Sequence, residues 1–177
     1  NAGQEDAFVT TFSLVPTPTP TATPTPIPTP IPQASASIGP EGGTIWMSYP
    51  GHLTLLHVPD NAVSAETFFE LTYEDRANFQ GDLQGLNHFF HLGIQPSQHV
   101  ILPLKITLGF VDSQGIMPET LTLYRLDSSS WVTGSITIAP ESNPFAGHIV
   151  AQVDLPGHYG VLGQTRRLYV PLMLRQQ

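Results

Sequence analysis

No cysteine occurs in this sequence, so no disulfide framework supports the fold. Disulfides are common in eukaryotic secreted domains of this size. Their absence fits a bacterial exported protein or a cytosolic one. Positive charge is scarce as well: six basic residues face fourteen acidic ones, for a net charge of −8, and the one lysine is Lys105. Phosphate backbones and anionic membrane surfaces need clustered Lys and Arg, so nucleic acid is excluded as a partner. Arg166 and Arg167 form the single adjacent basic pair, too small a footprint for either. Charged residues make up 11% of the chain, about half the usual globular share, which leaves a surface of neutral polar groups of the kind found outside cells. No apolar run reaches the ~18 residues that cross a membrane. The start, Asn1 to Asp6, is polar and acidic, with neither a basic n-region nor an initiator Met. The expectation is a processed, exported chain located at the cell surface or outside the cell.

What is abundant is proline. Residues 16–32 read PTPTPTATPTPIPTPIP, with eight prolines and six threonines in seventeen residues. Proline at nearly every second position removes backbone donors and fixes φ near −65°, which excludes helix and interior strand. Polyproline II remains, rising about 3.1 Å per residue, so the run spans on the order of 50 Å. The sequence therefore divides into an N-terminal strand (1–15), a Pro/Thr-rich linker (16–35), a domain (36–165) and a C-terminal strand or tail (166–177). About 130 residues suffice for one core and not for two. Thr17, Thr19, Thr21, Thr23, Thr25 and Thr29 are candidate O-glycosylation sites, since such stalks commonly carry glycans. No N-x-S/T sequon occurs.

The domain reads as all-β. Residues 44–47, 53–58, 67–73, 88–94, 102–110, 120–126, 131–138, 148–153 and 159–162 are short runs rich in β-branched and aromatic residues. Turn formers such as Pro50-Gly51 and Pro59-Asp60-Asn61 separate most of them. Leu104, Ile106, Leu108 and Phe110 share one face, against Lys105, Thr107 and Gly109. Leu121, Leu123 and, after a local break, Leu126 oppose Thr122, Tyr124 and Arg125. Nine strands at about ten-residue spacing predict an antiparallel β-sandwich, and no 3.6-residue period predicts a long helix. The expected core is Trp46, Leu55, Leu71, Leu104, Ile106, Leu108, Leu123, Trp131, Val153 and Tyr159.

Several motifs, taken in order, resemble a ZU5-type domain over roughly residues 37–163. They are GPEGGTIW, GHLTLLHVPDNAV, FFELTYE, FHLGIQPSQHVILPLKITLGF, LTLYRLDSSSWV and AQVDLPGHYGVLG. The resemblance implies a β-sandwich used for protein–protein contact and as a structural module. Some members of that family cleave their own backbone at a His-Phe-Ser in the closing strand, where the Ser hydroxyl attacks the preceding carbonyl. The matching place here is His158-Tyr159-Gly160, where the nucleophile position is a glycine without a hydroxyl, and self-cleavage is not expected.

Other chemistry is thin. His88/His91 and His52/His57 are the closest histidine pairs, but odd separations in a strand put side chains on opposite faces, so neither pair is expected to hold a metal. Asp60-Asn61 could lend oxygens to calcium, yet closely spaced D-x-D repeats are absent. Glu74-Asp75 reads as a turn after a strand, Ser128–Ser130 as a loop, and no G-x-S-x-G elbow or phosphate loop occurs. The expectation is a protein that is not an enzyme and takes no cofactor.

The two ends carry more. Phe8, Thr10, Phe12 and Leu14 alternate with Val9, Thr11, Ser13 and Val15, an apolar strand with no core of its own. At the other end RRLYVPLMLR, residues 166–175, alternates likewise and resembles an ending on secreted proteins of some filamentous thermophilic bacteria. Phe8, Val9, Phe12 and Leu14 are therefore expected to form an inter-subunit strand, donated head to tail between copies of the chain to build a filament. The alternative is a monomeric, stalked adhesion or ligand-binding module at the cell surface.

Overall fold

The computed structural model of the chain describes residues 31–76, 79–111 and 115–165. Two antiparallel sheets pack face to face over a single core, a β-sandwich as the alternation predicts. In chain order the strands are β1 (Gln33–Ile38), β2 (Gly43–Tyr49), β3 (His52–Val58), β4 (Thr67–Glu74), β5 (Phe79–Gln80) and β6 (Leu83–Gln95). They continue with β7 (Leu104–Phe110), β8 (Thr122–Asp127), β9 (Ser130–Val132), β10 (Ile136–Ile138), β11 (His148–Val153) and β12 (Gly157–Gln164). One sheet runs β1-β4-β6-β12-β8-β9, with β5 paired to β6; the other runs β10-β11-β7-β3-β2. The described helical turns are three short 3-10 segments of three residues each.

Strict alternation puts Leu104, Ile106, Leu108 and Phe110 of β7 into the core. They meet Leu56 and Val58 of β3, Ile149, Ala151 and Val153 of β11 and, from the facing sheet, Leu71, Phe90, Leu92, Leu123, Tyr159 and Val161. The expected burial of Leu71, Leu104, Ile106, Leu108, Leu123, Val153 and Tyr159 is met. Three core expectations are corrected. Trp46 is 62% exposed, because Ile45 and Met47 take the inward positions of β2. Leu55 lies opposite Trp46 in the β2–β3 ladder, so it shares that outer face and is half-buried. Trp131 is also half-buried, on the outer face of the seven-stranded sheet against Phe89.

Residues 131–138 form two strands instead of one. β9 pairs with β8 and β10 with β11, so the chain crosses between sheets at Thr133–Ser135, where Ser135 adopts φ 63°. β7 begins at Leu104, leaving Leu102 exposed outside it. β1 takes in residues 33–35, inside the stretch read as linker. Its QASASI has a single β-branched residue, Ile38 at its end, yet it pairs along β4 from Gln33↔Thr72 to Ile38↔Thr67 and packs Ala34 and Ala36 on the core. The turn into β2 depends on Gly42 at φ 74°, where a Cβ would lie 2.7 Å from the Val58 carbonyl oxygen.

Candidate functional site

Phe8, Val9, Phe12 and Leu14 lie outside the described residues, as do the linker threonines and the tail 166–177. The described residues carry two features that point outward: a bare sheet edge and a groove beside it.

The edge is β2. It ends the five-stranded sheet, and among the described residues no strand pairs along its outer side. Natural edges are blunted by charge, proline or a bulge. The sequence GTIWMSY has neither charge nor proline, and its pairing with β3 runs without a register shift. Next to the edge an apolar stripe covers the outer face, made of Trp46, Leu55 opposite it and, two residues along β3 from Leu55, Leu53, which is 40% exposed. Sequence reading missed this stripe, although the alternation of Ile45 and Met47 around Trp46 carries the signal.

The groove lies where β2 and β4 approach each other from the two sheets. Tyr49, the last residue of β2, stacks on Tyr73 of β4 with ring centroids 3.9 Å apart and planes 15° apart. Ile31 and Pro32 line the groove with these two tyrosines, and Thr72, Glu74, Asp75 and Arg76 complete it, enclosing about 670 Å³. The Tyr73 N–H donates to the Pro32 carbonyl at 3.0 Å, and its hydroxyl donates to the Asn87 carbonyl at 3.3 Å. Burial, the neighbouring Tyr49 and the Asp75 carboxylate push the Tyr73 phenol up to about 12, so it stays neutral.

Most of the charge at the groove is paired internally, with Asp75 outside the cluster. Arg76 Nε donates to Glu74 Oε2 at 2.6 Å, while His158 Nδ1 lies 2.8 Å from Glu74 Oε1 and 2.8 Å from Arg76 Nη2. Burial raises the Glu74 carboxyl, but the hydrogen bond from Arg76 and the charges of His158 and Arg76 outweigh it and hold it below the usual carboxylate range.

The histidines pair across strands. His88 and His91 take opposite faces of β6, as expected, and so do His52 and His57 on β3. The rings that meet are His52 with His88 and His91 with His158, each pair with centroids 4.8 Å apart. His88 is buried, and its Nε2 lies 2.8 Å from Thr54 Oγ1. Burial, then the nearby His52, lower its pKa to about 3, so it is neutral. Aromatic contacts run inward from the groove through Tyr73, Tyr49, His52, His88, Phe90 and Tyr159. Among the described residues no group of three or more His, Asp or Glu is placed to hold a metal. Asp60-Asn61 forms a turn, with Asn61 at φ 59° and its N–H donating to the Pro40 carbonyl at 2.7 Å.

Gly160 sits in the middle of β12, opposite Phe89 of β6. A Cβ there would run into the Phe89 ring and come within 3.2 Å of Trp131. The position thus lacks a nucleophile and leaves no room for one. Tyr159 before it is buried, with its hydroxyl donating to the Leu155 carbonyl at 2.6 Å. No helix among the described residues is long and apolar enough to cross a membrane. No protein-family model matches this chain, and no curated protein matches it.

Proposed function

We propose that this chain is a structural subunit of an extracellular filament, assembled by donation of residues 7–15 of one copy to the β2 edge of the next. The observation that carries the reading is the bare β2 edge: seven residues long, uncharged, without proline or bulge, and bordered by Trp46. An extended peptide added there gains main-chain hydrogen bonds and sets its alternate side chains against that stripe. Phe8, Phe12 and Leu14 could contribute roughly 4.5–9 kcal/mol before ordering costs, at about 1.5–3 kcal/mol each. The ~50 Å reach of the Pro/Thr run exceeds the ~30 Å across a domain of this size. A stiff run also disfavours closure onto its own domain. The ZU5-like order of motifs, an extracellular location, O-glycans on the linker threonines and the lack of enzymatic activity belong to the same proposal.

The test deletes residues 1–15 and keeps the rest. Loss of filaments in electron micrographs is expected; normal filaments from the shortened chain, or an intact chain that stays monomeric at high concentration, would overturn the reading. The second reading, a stalked ligand-binding module, is favoured by the Tyr49–Tyr73 groove and takes over in the monomeric case.

A further inference from the structure

The groove at Tyr49 and Tyr73 is a different feature from the edge, and its chemistry selects its own ligand. Its volume of about 670 Å³ falls within the range of small-ligand sites. Glu74, Arg76 and His158 pair with one another and leave the Asp75 carboxylate at the rim, which disfavours an anionic ligand, so the tyrosines and apolar flank recognise by packing. Stacked tyrosines with an apolar flank suit a ring-rich, pre-extended chain that keeps no internal hydrogen bonds, which is the chemistry of polyproline II recognition.

The chain itself contains such a ligand. No charged residue occurs from Pro16 to Pro32, so the run brings no like charge to the Asp75 rim. The end of that run is already in place: Pro32 accepts a hydrogen bond from the Tyr73 N–H, and Ile31 and Pro32 form part of the wall. Because a chain's own run supplies this wall, the space between it and Tyr49 is left for a second run of the same kind. We propose that the groove binds the Pro/Thr run, residues 16–30, of a second copy of this chain.

The choice of a second copy as donor rests on the filament reading, and the geometry gives it a direction. β2 ends at Tyr49. A donated strand 7–15 lying parallel to β2 would bring its Pro16 to Tyr49 and feed the run into the groove. An antiparallel strand would deliver it to the Gly43 end.

The experiment titrates a fluorescently labelled peptide of residues 16–30 with dilute full-length chain and follows anisotropy. Saturable binding is expected, weakened at least tenfold by Tyr49→Ala and by Ile31→Asp. Ile31 is exposed and its replacement spares the core, so that variant keeps the test sound even if Tyr49→Ala disturbs folding. A control peptide with every proline changed to alanine should not bind. Absence of saturable binding would overturn the proposal. So would binding indifferent to both variants, or saturable binding of a neutral oligosaccharide at the groove with none of the peptide. If filaments form without residues 1–15 while the peptide still binds at Tyr49, strand donation falls and the groove assignment stands. If filaments require residues 1–15 yet the peptide does not bind, the groove assignment falls alone.

Discussion

The two outer faces of this sandwich treat their aromatic residues in opposite ways. On the seven-stranded sheet Phe89 points away from the core yet is only 1% exposed. Trp131 covers it, with ring centroids 5.5 Å apart, and the ring lies against Gly85 and Gly160, whose missing Cβ atoms leave the space it fills. On the five-stranded sheet Trp46 has no such cover and stands 62% exposed beside Leu53 and Leu55. The sealed face behaves as a small second core. The open face sets an exposed apolar patch beside an edge that no described strand pairs with, the combination on which the proposed strand donation rests.

Both faces depend on the shared core, which sets the scale for breaking either. Ile106→Ala or Leu108→Ala should cost about 2–5 kcal/mol in denaturant unfolding, through lost transfer energy and the cavity left behind. A cost below 1 kcal/mol would contradict the burial of the β7 stripe. On the sealed face Gly160→Ser forces a side chain into Phe89 and Trp131, and a loss of about 1–3 kcal/mol is expected. The same variant should show no backbone cleavage by intact mass, because the surroundings of residue 160 are disrupted. Trp131→Ala should cost about 1–3 kcal/mol, below the ~3–5 kcal/mol of a fully buried aromatic. Trp46→Ala, the same change on the open face, should leave monomer stability within ~0.5 kcal/mol and, under the proposed strand donation, weaken filament assembly. Equal costs for the two tryptophans would erase the distinction.

Acid probes the interior at the groove end. His88 is neutral in the fold, with a pKa lowered to about 3, whereas the unfolded chain protonates it near its ordinary 6.5. Its contribution is therefore full above about pH 6.5 and is lost as pH falls toward about 3. The slope is at most about 1.4 kcal/mol per pH unit. Thermal melts of His88→Leu from pH 7 to 5 should show a shallower fall, at the cost of leaving the Thr54 hydroxyl without this partner.

The fold was legible because a strand buried on one face writes its pattern at period two. Residues 104–110 display that pattern in full, and β7 follows it residue by residue. Trp46 faces outward despite its size, because Ile45 and Met47 define the inward positions of β2. Strand β1 was hidden because alanine and serine, carrying no β signal, are held by pairing with a strand more than thirty residues downstream. The same distance hid the site. Tyr49 meets Tyr73, and His52 meets His88, through the packing of one sheet on the other, which no local window contains. The sequence could place His88 and His91 on opposite faces of one strand, but not say which other strand would supply each partner.

The position of β12 also governs how the sandwich is made. The last described strand is not an edge: it inserts between β6 and β8, pairing with both. Until residues 157–164 arrive, the seven-stranded sheet is two fragments, each with an open edge where β12 belongs. Neither fragment can bury Tyr159 or Val161, since both side chains are on the missing strand. Completion therefore waits for contacts between residues far apart in sequence, which makes folding slow and leaves sticky intermediates along the way. A chain that emerges from its N-terminus cannot close this domain early. It stays unlocked until nearly all of the domain has been delivered.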